Sequence, residues 1–372
     1  MSSWEPALRR WTEAGLMEPE VAGRIRRWER DREREPRIRW PARLALGLGG
    51  LMVGAGILLF VAAHWDALSP GWRFSLVLLL VGGFHLAGAA AAGSAALAAA
   101  LHACGTVALG AGVFLTGQIY HLQADWPAGL LLWAIGAWAG WALLRQWPQG
   151  ALAAVLTPAW LAGEWLARPG DLPSGVVGAG LVLLATAYLG AEPETGPVAV
   201  PRSMRRALVW IGGVTLVPLA LWLVSAEWWA YRPAVEGSAG QLLAWAIALA
   251  VPLGVAAALR GAAALPMAPI AFTVGIGPWL IHQRGAAPYL WSAALAGQLV
   301  WWGLRDRRST PVNLGMAGVA LTVVVFYFSD VMDRLGRSAS LVGMGLLLLG
   351  GGYLLERARR RLIDRLREGR SS

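Results

Sequence analysis

His85 and His102 are titratable side chains set inside long apolar runs, where a polar group is costly and tends to serve function. An imidazole changes charge near neutral pH. Two of them sharing a hydrogen bond make a proton relay, and the same bond serves equally to tie neighbouring helices together. Read as helices, the runs place His85 about 13 residues, or roughly 20 Å, below one membrane face. His102 lies about 15 residues, or roughly 22 Å, below that same face. Only a short turn around Gly93 and Ser94 separates the two runs, so they pack antiparallel and bring the rings to one level.

A second polar group gathers at the outer ends of the first and third runs. His64 and Asp66 follow one; Gln118, Tyr120, His121 and Asp125 follow the other. Two histidines with two carboxylates suit a divalent cation. His121 and Asp125 are one helical turn apart, but no HExxH or CxxC spacing accompanies them, and a polar interfacial rim explains the same residues. No metal site is assigned. The chain shows no nucleophile–base pattern, phosphate loop or cofactor fingerprint, so no catalytic residue and no cofactor is assigned either.

The elements that must position these residues are apolar helices. Of 372 residues, 57% are apolar and 15% charged; soluble domains carry nearer a quarter charged. The apolar residues fall in runs of about 18 to 23, each able to cross roughly 30 Å of hydrocarbon as a helix. Continuous runs exclude a β-barrel, whose strands alternate. The expected fold is all-α, a polytopic transmembrane bundle of about twelve spans. They are placed at 43–63, 72–91, 95–117, 126–145, 148–167, 173–190, 205–226, 239–259, 262–281, 286–304, 311–329 and 338–356.

The net charge is +10, and every basic residue is arginine. With both termini inside, only Arg73, Arg168, Arg232, Arg284, Arg334 and Arg337 fall in outer loops. That asymmetry orients a protein in its bilayer and points away from nucleic acid. The expected location is the inner membrane, multi-pass, with cytoplasmic N- and C-termini and no cleavable signal. The one cysteine, Cys104, allows no intrachain disulfide.

Residues 1–42 read as a cytoplasmic helical hairpin, 43–356 as the bundle and 357–372 as a basic cytoplasmic tail. In the hairpin, Leu8 and Trp11 share helical spacing, Gly15 breaks the run, and Val21, Ile25 and Trp28 resume an apolar stripe. Its arginines suit an anionic lipid surface or a docked protein. Trp72, Trp126, Trp147, Trp165, Trp301 and Trp302 fall near span ends, as interfacial anchors do. Dense Gly and Ala permit close helix approach. Glu164 is placed to snorkel, and Gln298 and Asn313 to bond between helices. The endings Phe60–Asp66 and Phe326–Asp330 echo one another, as in a duplicated bundle.

The stretch LTGQIYHLQADWPAGLLLWAIGAWAGWALLR (Leu115 to Arg145) resembles the uncharacterised prokaryotic membrane-protein family known as domain of unknown function 2157. WTEAGLMEPEVAGRIRRWE (Trp11 to Glu29) and ILLFVAAHWDAL (Ile57 to Leu68) are similar to the same family, except that His64 stands where the family usually has Asn. The resemblance covers residues 8–165. It implies a multi-pass inner-membrane protein and identifies Trp65, Asp66, Gln118, Tyr120, His121 and Asp125 as family motif positions, with no activity attached.

The expected role is transport or permeation of a small solute or ion, coupled to protons. The alternative is a non-transporting scaffold or sensor that binds a cytoplasmic partner through residues 1–40 and the basic tail. Catalysis is the reading with least support.

Overall fold

The computed structural model describes residues 5–34, 52, 68–91, 93–119, 125–167, 174–191, 197–224, 239–277, 286–328 and short pieces within 343–360. The chain divides into two compact units, residues 1–69 and 70–372.

In the first unit, α1 (Glu5–Glu13) and α2 (Pro19–Arg34) form the expected hairpin. Gly15 turns the chain at φ 70°, a left-handed conformation that a Cβ disfavours. Pro19 opens α2, where its missing N–H leaves nothing unsatisfied. Leu8 and Ala22 are buried. The expected stripe is only partly covered, since Trp11 is 48% and Trp28 59% exposed.

The second unit is helical throughout its described residues. Its order is α3 (Pro70–Ala90), α4 (Ala95–Ile119), α5 (Trp126–Leu144), α6 (Trp147–Ala167), α7 (Ser174–Leu189), α8 (Arg202–Val224) and α9 (Ala239–Arg260). A 3-10 turn (Gly261–Ala264), α10 (Met267–Gly275), α11 (Ala287–Arg305) and α12 (Ser309–Phe326) follow. Three antiparallel hairpins, α3–α4, α5–α6 and α11–α12, are each joined by a short turn, and α7 packs on α8 and α9. In the α5–α6 and α11–α12 turns, Arg145 and Arg307 take φ 53°, where glycine is usual.

Small residues set the helix spacing. A Cβ at Gly315 would lie 2.6 Å from the Ala296 carbonyl of α11, and one at Gly212 would strike the α7 backbone at Ala185 and Leu189. Hydrocarbon gives helices no hydrophobic reason to associate, so close backbone approach supplies the contact instead. Leu183, Leu189, Met267, Trp291 and Trp302 fill the largest core cluster. Outward-facing Leu79, Leu86, Leu132, Leu143, Leu242 and Leu243 remain exposed, as lipid-facing residues do.

Seven of these helices, α3, α4, α5, α6, α8, α9 and α12, are long and apolar enough to span a membrane, so the count of twelve is not confirmed. Of the run at 262–281, the described residues form a 3-10 turn and the nine-residue α10. The run at 173–190 yields a 16-residue helix. Spans 43–63 and most of 338–356 lie outside the described residues, as does most of the 60–66 and 326–330 echo. Trp302 is not an interfacial anchor: it is 1% exposed and lies beneath Arg260. Trp72, Trp126 and Trp301 are exposed at helix ends.

Candidate functional site

His85 on α3 and His102 on α4 meet. Their Nδ1 atoms are 3.1 Å apart and their ring centroids 5.4 Å. His102 is 7% exposed, while His85 is half-buried. A hydrogen bond between two Nδ1 atoms needs one donor and one acceptor, so the neutral pair keeps a single proton on the facing nitrogens. Each ring sits in a notch cut by a glycine on the opposite helix. A Cβ at Gly88 would lie 2.9 Å from the His102 ring, and one at Gly105 would lie 2.8 Å from the His85 ring. Gly88 follows His85 by three residues and Gly105 follows His102 by three, so each helix presents an imidazole and a seat for its neighbour's.

The polar path continues through Thr106, one turn beyond His102. Its hydroxyl lies 3.2 Å from the His102 carbonyl and 2.9 Å from Gln149 Oε1 on α6. One hydroxyl proton cannot serve both acceptors. Trp133 of α5 donates its indole N–H to the Thr106 carbonyl at 2.8 Å, and its ring lies where a Cβ at Gly110 would be. Thr106 and Gln149 are fully buried, and Gln149 Nε2 has no partner among the described residues. Four helices thus converge on one polar junction inside an apolar bundle.

Gln149 and Trp133 were not legible as site residues. Gln149 stands in the first turn of its helix, where polar residues are ordinary, and Trp133 reads as one more aromatic among leucines. A single amide followed by a long apolar run was the available signal.

Among the outer-mouth residues, Gln118 is exposed in the last turn of α4, and Asp125 is exposed just before α5, making no side-chain cap bond. His64, Trp65, Asp66, Tyr120 and His121 lie outside the described residues. No group of three metal-ligating side chains occurs among the described residues. Cys104 is exposed.

A second junction lies in α10 and α11. The Thr273 hydroxyl donates to the Pro269 carbonyl at 2.9 Å and accepts from Gln298 Nε2 at 2.7 Å. The Trp291 indole donates to the Thr273 carbonyl at 2.6 Å. Gln298 does bond between helices, as expected. Trp160 donates to Glu164 one turn away at 3.2 Å. Arg260, expected in an inner segment, ends α9, where it is 3% exposed and paired with Asp306 at 2.5 Å. Its apolar neighbours bury it, and the carboxylate and the Trp302 face supply the compensation water would have given.

Residues 9–150 match the family described as Predicted membrane protein (DUF2157). The match ends one residue past Gln149, so it encloses the whole histidine junction and excludes the second one. No curated protein and no solved structure matches the chain. The chain is therefore a membrane protein of several apolar helices, and the family that its residues 9–150 match is described only as a predicted membrane protein.

Proposed function

We propose that this DUF2157-matching protein is a membrane carrier for protons, or for a small solute moved together with a proton, with His85 and His102 as the proton-holding pair. One observation carries the reading: two imidazoles 3.1 Å apart, each in a seat cut by a glycine of the opposite helix, inside an otherwise apolar bundle. A second proton on the pair abolishes the acceptor and leaves a charge that must move on or find a counter-ion. Thr106 and Gln149 hold α4 against α6 beside the pair, and so fix the depth at which His102 sits. Of the outer-mouth residues, Gln118 and Asp125 stand exposed where α4 ends and α5 begins, and they flank the approach to the pair in this reading. The arginine distribution supports an inner-membrane location with residues 1–42 and 357–372 in the cytoplasm around the 43–356 bundle.

The purified chain in liposomes should carry protons down an imposed pH gradient, read by an entrapped pH dye. His85→Ala or His102→Ala should cut that flux at least tenfold. Unchanged leak across proton and solute screens overturns the reading.

A scaffold or sensor role has one observation in its favour. Trp11, Leu16 and Trp28 expose apolar surface on the N-terminal hairpin beside arginines. Crosslinking should then recover a stable partner that is lost when residues 1–40 are deleted; a clean monomer counts against it.

A further inference from the structure

A cavity of about 480 Å³ lies between α7, α8, α11 and α12, away from the histidine junction. Its walls are apolar: Val182, Ala220, Leu221, Leu299, Leu314 and Val325 are among them. The size suits a single organic ligand. Its shape is long, because lining residues run along α12 from Leu314 to Val325, about 16 Å at 1.5 Å per residue. The lining of α11 runs beside it in the opposite direction, from Leu299 to Pro288.

Three hydroxyls on the wall, those of Thr186, Ser292 and Thr322, are already engaged. Ser292 and Thr322 bond to each other at 2.9 Å, Thr322 also reaches the Gly318 carbonyl at 2.9 Å, and Thr186 donates to the Val182 carbonyl at 2.8 Å. A polar ligand would find no open partner in these pairs, whereas a hydrocarbon chain loses nothing by entering. Leu221 is 41% exposed and stands at the cavity's edge, so the space opens towards the lipid side of α8.

One end of the cavity approaches a positive turn. Arg308 lies six residues before Leu314, about 9 Å along the helix, and donates to the Leu189 carbonyl at 2.8 Å. Arg305 and Arg307 stand exposed in the same α11–α12 turn, while Asp306 is engaged by Arg260. The turn thus keeps an excess of positive charge where a membrane-embedded chain would end in its headgroup. We propose that this cavity holds one acyl chain of an anionic phospholipid, with the phosphate at the Arg305–Arg308 turn. This site is independent of the histidine pair.

The full chain, reconstituted in nanodiscs, can be photolabelled with phosphatidylglycerol bearing a diazirine on its acyl chain, and the labelled peptides mapped by mass spectrometry. Label should concentrate on Pro288–Leu299 and Leu314–Val325. Unlabelled phosphatidylglycerol should compete at least fivefold better than phosphatidylcholine. Ala220→Phe, which fills the cavity, should lower labelling about fivefold. Leu321→Ala, which enlarges it, should hold or raise labelling and does not depend on the first variant folding. Arg305→Gln with Arg307→Gln should bring the two competitors level. Label spread evenly over lipid-facing helices, including Leu242 and Leu243 of α9, overturns the proposal. So does equal competition in the unaltered protein, or loss of label in Leu321→Ala.

Discussion

The two threonine junctions are built from the same parts. Thr106-Val107-Ala108-Leu109-Gly110 and Thr273-Val274-Gly275-Ile276-Gly277 each place a threonine one turn before a glycine. In both, a tryptophan from another helix lays its ring where the glycine lacks a side chain and donates its indole proton to the threonine carbonyl. A glutamine side chain then meets the threonine hydroxyl. The difference lies in proton bookkeeping. Thr273 has one acceptor, Pro269 O, and one donor, Gln298 Nε2, so its hydroxyl has a single consistent direction. Thr106 faces two acceptors with one proton. Turning the Gln149 amide by 180° would give Thr106 the arrangement of Thr273, one donor and one acceptor. The residue one turn earlier differs too: proline before Thr273, titratable His102 before Thr106. One junction is a static brace, and the other is the same brace with a choice built in.

Six substitutions test that contrast. The largest loss belongs to the braced half. Asp306→Ala would leave Arg260 buried without its carboxylate and should cost about 3–5 kcal/mol, read as a large drop in thermal unfolding midpoint in detergent. Gly110→Ala and Gly277→Ala should each cost about 1–3 kcal/mol, because an indole must move to admit the methyl group. Similar losses support one shared device; harm from only one would break the comparison. Thr106→Val and Thr273→Val should each cost about 1–2 kcal/mol, since a buried amide loses its hydroxyl. Liposome proton flux should fall for Thr106→Val alone. Smallest in stability is His102→Phe, about 0.6–1.7 kcal/mol if only an interhelical bond is lost, yet its effect on flux should exceed that of Thr273→Val tenfold or more. Equal flux in those two variants would erase the distinction.

Much of this was legible before any coordinates. The third run, expected at 95–117, is a helix over Ala95–Ile119, because apolar run length and flanking turn residues fix a helix in lipid. The meeting of His85 with His102 was legible because a short turn ties the depths of two antiparallel helices together. Run length placed a span at 262–281, where the described residues form a 3-10 turn and the nine-residue α10. Charge pattern placed Arg260 among the inner arginines, but a lone arginine after an apolar run says nothing of the carboxylate 46 residues later that pairs with it. The second junction was half visible. Gln298 stood out, but Thr273 and Trp291 are ordinary residues of an apolar helix until their partners are known.

The paired seats at Gly88 and Gly105 limit how the first hairpin can behave. A knob and a hole on each helix, set three residues apart, act like the two prongs of a plug. Sliding α3 along α4, or twisting one against the other, would drive a ring into backbone at both places at once. Whatever working cycle this molecule has, these two helices travel through it as a single stiff lever.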